Sequence, residues 1–304
     1  MEDIAVIILT FNEEQNLSAA LESVKGWANT VFVVDSYSTD GTIDIALSRA
    51  PDCVSVVQHH FENYSAQWNW AVTHLPIQAR WAMKLDADER LSPVFKKEVT
   101  ACIRNAAQDL EGIYVRYRLT FMGATLHWGA FSSTYLLRLW RTGRAICGDR
   151  SVNEHFSVKG RTCMSRAFLD HCNYKSFSDW IDKHNRYSSM EAMSVASGNV
   201  SGDISSRFWG NPVERRAWLR RVYSQFPGRA FFYFLYRYVV RLGFLDGRAG
   251  FRFAFLHAAF MYWIDLKILE YQMTNKVPDV IWPTRGQPDP RVAGSELQKL
   301  VDRN

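Results

Sequence analysis

The segment IAVIILTFNEE, residues 4–14, places a continuous apolar and β-branched run directly before a group of helix-capping side chains. Such runs are typical of strands that are buried on both faces of a parallel sheet. A second run, residues 30–34, ends at Asp35, and apolar residues such as Leu17 and Leu21 recur at helical spacing between the two runs. The order strand, helix, strand predicts a βαβ unit at the start of the chain.

Further strands and helices follow in alternation. The pattern predicts a third strand at residues 54–58, a helix at 66–74, a fourth strand at 80–85, and alternating strands at 113–119 and 135–140. We therefore expect an α/β fold with a Rossmann-like, doubly wound mixed sheet. In such sheets the ligand site lies at the carboxyl ends of the strands.

The composition limits the class of protein. With 304 residues, of which 47% are hydrophobic, the chain can build a globular core, which excludes a disordered protein. Its five cysteines form no CxxC pair, which fits a reducing compartment. The N-terminus lacks the basic leader of a secretory signal, and the best apolar run, residues 253–264, is too short to span a bilayer. We expect a cytoplasmic protein that does not cross the membrane.

A change in composition after about residue 205 predicts a second region. Residues 207–252 contain ten arginines but two acidic residues, and aromatic side chains are interleaved with them. Guanidinium groups attract phosphates and aromatic rings settle at the water–lipid boundary, so this mixture predicts a helical extension at an anionic membrane surface. We assign residues 1–205 to the α/β domain, 206–275 to this membrane-interfacial extension, and 276–304 to a loosely held tail.

Two alternatives for the basic and aromatic region stay open. It is either a packed helical cap with solvated arginines or a nucleic-acid surface. The hydrophobicity of residues 230–235 and 253–264 exceeds what a nucleic-acid surface needs, so no nucleic-acid partner is expected.

An acidic cluster follows the predicted fourth strand directly. Asp86, Asp88 and Glu89 lie in the sequence DADER, residues 86–90. Carboxylates on a short turn can hold Mg²⁺ or Mn²⁺ and leave coordination positions open for phosphate oxygens. At positions i and i+2 of a strand end, Asp86 and Asp88 would point the same way. The alternative is a solvated acidic turn or a helix cap.

Four segments of the first 160 residues resemble glycosyltransferase family 2, whose members are nucleotide-diphosphosugar transferases with the GT-A fold. The matching segments are IILTFNEE at residues 7–14, VVDSYSTDGT at 33–42, QWNWA at 67–71 and KLDADE at 84–89. Within the family, the chain is similar to bacterial lipopolysaccharide-core β-glucosyltransferases and related exopolysaccharide enzymes. The segment GFLDGRAG, residues 243–250, extends this likeness to about residue 270.

The resemblance implies roles for individual residues. It assigns Asp86 and Asp88 to the site that binds metal and diphosphate, and Gln67 to the surroundings of the nucleotide. Trp68 stands where relatives often carry arginine. The nucleoside pocket would be formed by Thr10, Phe11, Glu13 and Asp35. The alternative for Glu13 and Asp35 is that they cap the first two helices.

The resemblance also implies a catalytic base. An inverting transferase needs a carboxylate that takes the proton of the acceptor hydroxyl. Glu154, in the segment SVNEH, occupies the position where related enzymes carry this base, although Asn153 replaces the histidine that commonly precedes it. Asp149 is the second candidate. A zinc site at Cys163, His171 and Cys172 is not expected, because paired ligand spacing is missing.

The resulting hypothesis is an inverting transfer of a hexose. The donor would be a nucleotide sugar such as UDP-glucose, and the acceptor a lipid-linked saccharide or lipopolysaccharide core at the inner face of the plasma membrane. The alternatives are a polyprenyl-phosphate sugar transferase and a non-catalytic nucleotide-sugar sensor on the same fold.

Overall fold

The computed structural model describes residues 2–130, 134–148, 156–196, 228–280 and 282–303. The strands are β1 Glu2–Thr10, β2 Ala28–Asp35, β3 Val54–Gln58, β4 Trp81–Lys84, β5 Glu89–Arg90, β6 Leu110–Phe121, β7 Ala124–Leu126, β8 Tyr135–Arg141, β9 Ile146–Cys147, β10 Phe156–Ser157 and β11 Arg161–Cys172. The α-helices are α1 Glu14–Val24, α2 Thr42–Ser48, α3 Tyr64–His74, α4 Pro93–Arg104, α5 Phe177–Ala196, α6 Arg229–Leu235, α7 Gly247–Thr274, α8 Pro290–Ala293 and α9 Glu296–Val301.

Within these residues, nine strands form one mixed sheet in the order β3-β2-β1-β4-β8-β6-β11-β5, with β7 paired to β6. The first four strands of this order are parallel to one another. Strand β8 runs antiparallel to both β4 and β6. The predicted doubly wound mixed sheet is therefore confirmed, and the carboxyl ends of β3, β2, β1 and β4 lie at one edge.

Both faces of the parallel half are covered. Alternate residues of β1 point to opposite faces. Ile4, Val6 and Ile8 belong to the core that contains Leu17 of α1 and Phe95 of α4. Ala5 and Ile7 belong to the other core, with Trp68 of α3 and Val301 of α9. Burial on both faces explains why these strands are continuous apolar runs in the sequence.

The chain divides into two compact units. The first comprises residues 1–125, 131–175 and 284–304, and the second comprises 126–130 and 176–283. In the second unit, α7 packs against α5 and α6. The boundary predicted at residue 205 lies outside the described residues and stays a prediction.

The segment GFLDGRAG has a packing role inside the second unit. The carboxylate of Asp246 accepts hydrogen bonds from the backbone N–H groups of residues 127, 128 and 129 at 2.8 to 3.0 Å. A Cβ atom on Gly250 would lie 2.0 Å from the carbonyl oxygen of Gly243, so the backbone leaves no room for a side chain there. This segment fixes the 127–129 loop to the start of α7.

The C-terminal tail is not loosely held, in contrast to the prediction. Gln298 accepts a hydrogen bond from the backbone N–H of Gln58 at 2.8 Å and donates one to its carbonyl oxygen at 3.0 Å. Val292 and Val301 are buried. Because β3 is an edge strand, its exposed backbone groups need partners, and the tail supplies them.

No helix in the described ranges has the length and apolar character required to cross a membrane.

Candidate functional site

The two segments that follow β1 and β2 hold each other through hydrogen bonds. The backbone N–H of Asn12 donates to the Ser38 hydroxyl at 2.9 Å, and the Asn12 side chain accepts from the Thr39 backbone at 2.8 Å. The Glu13 backbone donates to the Thr42 hydroxyl at 2.8 Å. Asn12 has a φ of 53°, a left-handed conformation that asparagine tolerates better than most residues. The loops at 10–14 and 36–42 are therefore held together as a loop pair at the carboxyl edge of the sheet.

Asp35 lies at the centre of this loop pair and is fully buried. Its carboxylate accepts hydrogen bonds from the Thr10 hydroxyl at 3.1 Å and the Gln58 side chain at 3.0 Å. Ser38 donates both its backbone N–H, at 2.9 Å, and its hydroxyl, at 2.5 Å. A carboxylate has about four lone-pair sites. A nucleoside group that donates a hydrogen bond to Asp35 would therefore have to replace one of these donors.

Phe11 lies beside this network, under a guanidinium group from the C-terminal segment. The Cζ atom of Arg285 is 4.5 Å from the centroid of the Phe11 ring and 4.9 Å from that of Phe61. Arg285 also donates to the carbonyl oxygen of Ser36 at 2.7 Å. This contact links the nucleoside pocket predicted from the sequence to residue 285, which that prediction did not include.

Gln67 is buried close to the same loop. Its side chain donates to the Ser36 hydroxyl at 3.3 Å, and its oxygen lies 2.8 Å from the Nδ1 atom of His59. Trp68, where arginine was expected from relatives, is buried, and the ammonium of Lys84 lies 4.8 Å from the centroid of its ring. The positive charge in this part of the site is therefore carried by a lysine of β4.

Glu13 does not cap α1 through its side chain. Its carboxylate accepts hydrogen bonds from Lys175 at 2.6 Å and from the side chain of Asn16 at 2.8 Å. Burial raises the pKa of Glu13, whereas Lys175 opposes that rise and Asp88 adds to it. The charge of Asp88 therefore acts on Glu13. Glu13 lies between the predicted nucleoside pocket and the acidic segment at residues 86–90.

The acidic segment after β4 forms a turn, which differs from the strand geometry expected for Asp86 and Asp88. The strand ends at Lys84, and the backbone N–H of Glu89 donates to the carbonyl oxygen of Asp86 at 2.9 Å. The chain turns here because Glu89 enters β5, which pairs with β11. The argument that positions i and i+2 share one side therefore does not apply, and the two aspartates have different neighbours.

Asp86 is paired with two cations. Both terminal nitrogens of Arg138 lie 3.2 Å from its Oδ2 atom, and the Nζ of Lys84 lies 3.6 Å from its Oδ1 atom. Burial would raise the pKa of Asp86, but Lys84 and Arg138 hold it well below its usual range. The side chain is 39% exposed, so the two cations and not burial decide this direction.

Glu89 supports the turn from inside. It is buried and accepts two hydrogen bonds. One comes from the backbone N–H of Asp86 at 2.9 Å and the other from the Nη2 of Arg138 at 2.6 Å. Burial raises the pKa of Glu89 to about 8; Arg138 opposes this rise and Asp86 adds to it. Through these hydrogen bonds, Glu89 fixes the position of Arg138 and of the Asp86 backbone.

Asp88 faces a histidine. Its Oδ1 atom lies 3.5 Å from the Nδ1 of His171, and its carbonyl oxygen accepts a hydrogen bond from the backbone N–H of Cys172 at 2.7 Å. The pairing of β5 with β11 brings these residues together. No pattern in the sequence connects residues 88 and 171, and His171 was considered from the sequence only as a zinc ligand.

The side chains of Asp88 and His171 suit a divalent cation whose remaining coordination positions are filled by phosphate oxygens and water. A carboxylate oxygen and an imidazole nitrogen both suit Mn²⁺, whereas Mg²⁺ usually takes one or two carboxylates together with phosphate oxygens and water. In the part of the chain that the structure describes, no three His, Cys, Asp or Glu side chains group into a metal site. Asp88, with His171 beside it, is the better candidate ligand, because Asp86 is already balanced by Lys84 and Arg138.

The predicted bases, Glu154 and Asp149, lie outside the described residues, and their roles stay predictions. The structure instead adds Lys84, Arg138, Lys175 and Arg285 to the site. Lys84 lies two residues before Asp86 and belongs to the matching segment KLDADE, so the sequence already contained a signal for it. The other three come from distant parts of the chain.

The comparison with known proteins covers the same region. Residues 5–150 match the model of glycosyl transferase family 2. The family resemblance, carried by the segments after β1, β2 and β4, is thereby confirmed for the first half of the chain. The mixed sheet agrees with the GT-A fold that this family implies.

Relatives match over part of the chain. A protein of Rickettsia typhi described as an uncharacterized glycosyltransferase is 30% identical over 122 residues, which are 40% of this chain and 39% of that protein. The Bacillus subtilis prophage-derived glycosyltransferase SunS is 32% identical over 106 residues, 34% of this chain and 23% of SunS. The chain thus matches about two fifths of the length of the Rickettsia relatives, or less in SunS.

Among solved structures, the chain is similar to S. aureus TarS 1–349, which was also solved in complex with UDP. The TM-score is 0.44 at 15% identity, and the match covers 91% of this chain and 92% of TarS 1–349.

The Asp35 network yields a stability prediction. Asp35→Asn places an amide N–H₂ against at least one of the donors that now point at the carboxylate, so the free energy of unfolding should fall by about 1–3 kcal/mol. Urea denaturation measures this change. Asp44→Asn is the control, because Asp44 is 69% exposed and its ion pair with Arg291 contributes little. An Asp35→Asn variant as stable as the wild type would show that the network does not hold the two loops.

Proposed function

We propose that the chain is an inverting glycosyltransferase that moves a hexose from a nucleoside-diphosphate donor, with glucose and UDP as the expected components. The observation that carries this proposal is the meeting of three motif segments at one sheet edge, after β1, β2 and β4. The family match over residues 5–150 supports it.

The order of the strands suggests how the donor lies. Strand β1 is between β2 and β4, and neighbouring strands are about 4.8 Å apart, so the ends of β2 and β4 are separated by about 10 Å. This span suits a nucleoside at Phe11 and Asp35 with its diphosphate at Asp88. The proposed nucleotide-binding set is Thr10, Phe11, Glu13, Asp35, Gln67 and Asp86.

The residues of the acidic turn would act on the diphosphate. A divalent ion, Mg²⁺ or Mn²⁺, would neutralise the charge that develops on the leaving diphosphate. Asp88 would hold this ion, with His171 beside it and with Asp86 as the second predicted ligand. Lys84 and Arg138 keep Asp86 ionised and fix its orientation, so that the turn does not have to rearrange when the donor binds.

The catalytic base and the acceptor are proposed from the sequence. Glu154 is proposed as the base that removes the proton of the acceptor hydroxyl, with Asp149 as the second candidate. The acceptor would be a lipid-linked saccharide or lipopolysaccharide core, as in bacterial cell-surface polysaccharide synthesis.

The first test concerns Asp88. Asp88→Asn removes a charged metal ligand, so metal-dependent UDP binding should weaken and transfer should fall by at least about 100-fold. Calorimetry with and without Mn²⁺ and a donor-turnover assay measure the two effects. The matched control is Asp170→Asn, which changes a carboxylate of the same strand pair that is bound to Arg118. UDP affinity and turnover like those of the wild type in Asp88→Asn would end the assignment.

The second test separates chemistry from binding. Glu154→Gln should lower turnover by about 100-fold or more, because general-base catalysis contributes roughly that much, while UDP affinity stays near the wild-type value. Kinetics at saturating donor and UDP calorimetry are compared for Glu154→Gln and Asp149→Asn. If Asp149→Asn alone shows this separation, Asp149 is the base.

The second unit carries a surface that suits the proposed lipid-linked acceptor. Six apolar side chains of α7 are between 44% and 77% exposed: Phe251, Phe255, Tyr262, Leu266, Leu269 and Met273. At 3.6 residues per turn they fall within an arc of about 60°. Arg248 and Arg252 are exposed one turn before Phe251 and Phe255. An apolar stripe flanked by arginines fits the interface of an anionic membrane. Of the predicted extension, residues 206–227 lie outside the described ranges.

The third test uses vesicles of phosphatidylglycerol and phosphatidylcholine. The protein should sediment with anionic vesicles and little with neutral ones. Arg248→Glu with Arg252→Glu should weaken binding at low salt, because each basic residue near the surface contributes about 1 kcal/mol. Phe255→Ser with Leu269→Ser should remove the part of the binding that resists high salt. Val94→Ser, at an exposed position of the other unit, is the control. Wild-type protein that stays in the supernatant at low salt would contradict membrane association.

A further inference from the structure

The C-terminal segment, residues 284–303, is fixed beside the loop that follows β2. The backbone N–H of Gly286 donates to the carbonyl oxygen of Tyr37 at 2.8 Å. A Cβ atom at Gly286 would lie 3.0 Å from the carbonyl oxygen of Ser38, so the two backbones approach closely. The backbone N–H of Asp289 donates to the side chain of Gln58 at 2.7 Å, and Gln58 also binds Asp35. These contacts hold the preceding residue, Arg285, at a defined place in the site.

The guanidinium of Arg285 has donors to spare. The contacts that the structure describes for it are the faces of Phe11 and Phe61 and one hydrogen bond, from Nη1 to the carbonyl oxygen of Ser36. Arginine carries five N–H donors. Burial lowers the pKa of Arg285 and Asp35 opposes that effect, so the side chain stays charged. It is therefore a cation with unused donors over the ring predicted to meet the nucleoside.

The guanidinium lies close to both rings, with its Cζ atom 4.5 Å from the centroid of Phe11 and 4.9 Å from that of Phe61. Phe11 is the ring predicted to meet the nucleoside, so a base that binds beside this ring comes within reach of the donors of Arg285. Donors directed at the edge of the base would then distinguish the groups that the base carries there.

We propose that Arg285 is a specificity-determining residue of the donor site, which selects nucleotides whose base carries a carbonyl oxygen, and not an amino group, at position 4 of a pyrimidine or position 6 of a purine. This inference rests on the proposed function. A guanidinium donates hydrogen bonds and accepts none, so it pairs with the carbonyl oxygens of uracil or guanine. Cytosine and adenine present an amino group at the equivalent position, and that group would oppose the N–H donors of Arg285.

The test compares the binding of UDP, GDP, CDP and ADP to the full chain by calorimetry in the presence of Mg²⁺. The wild type should bind UDP or GDP at least about tenfold tighter than CDP and ADP. Arg285→Ala should weaken the preferred nucleotide by about tenfold and leave the affinities for CDP and ADP nearly unchanged. Arg285→Lys keeps the charge but not the planar fork, so it should also lose the preference. Arg291→Ala is the matched control, because Arg291 lies on the same segment and pairs with Asp44 and Asp289.

The outcomes separate the two proposals. An Arg285→Ala variant that keeps the wild-type preference overturns the role of Arg285, as does tighter binding of all four nucleotides, which would mean that the guanidinium only blocks Phe11. If neither the wild type nor any variant binds a nucleotide, the proposed function fails and this inference fails with it. Thermal melting of each variant shows whether it is folded.

Discussion

One buried carboxylate, that of Asp35, determines the arrangement of the loops predicted to bind the nucleoside. A carboxylate without exposure to water is costly unless its oxygens accept hydrogen bonds. Here the donors come from β1, from the end of β3 and from the loop after β2, so the requirement to satisfy Asp35 brings three segments of the chain together. Gln58 carries the constraint further, because its side chain also accepts from the backbone of Asp289. The C-terminal segment is thereby tied to the same network.

The other end of the site, after β4, depends on charge balance. The sequence shows three acidic residues in four positions, which by themselves would repel a diphosphate. In the structure, Lys84 and Arg138 are buried beside them, and Arg138 pairs with both Asp86 and Glu89. The negative charge that a diphosphate meets is therefore smaller than the sequence suggests. Asp88 faces His171, and in the described residues the cations Lys84 and Arg138 pair with Asp86 and not with Asp88.

The parts of this protein that could be predicted from the sequence are those encoded by local patterns. Buried parallel strands are continuous apolar runs, and ligand sites in such sheets lie at their carboxyl ends, so the acidic cluster after β4 was found from its position. Asp35, the last residue of β2, was assigned through the family resemblance. The strand geometry expected for Asp86 and Asp88 was wrong because Glu89 starts a new strand pair with β11, which no local pattern encodes. Arg285 lies 249 residues from the carbonyl oxygen it binds. A contact of that kind depends on how the tail packs on the edge strand, and periodicity carries no information about it.

The tail also links stability to the shape of the candidate site. An edge strand that exposes its backbone invites pairing with other chains, and β3 avoids this through the side chain of Gln298. The same segment carries Arg285 to the rings of Phe11 and Phe61. One stretch of chain therefore both covers the edge strand β3 and places Arg285 beside Phe11. Gly286, between these contacts, allows the close approach to the loop after β2 that a side chain would prevent. A change that detaches the tail from β3 should consequently alter the site at Phe11, even though it removes no residue of the family motifs.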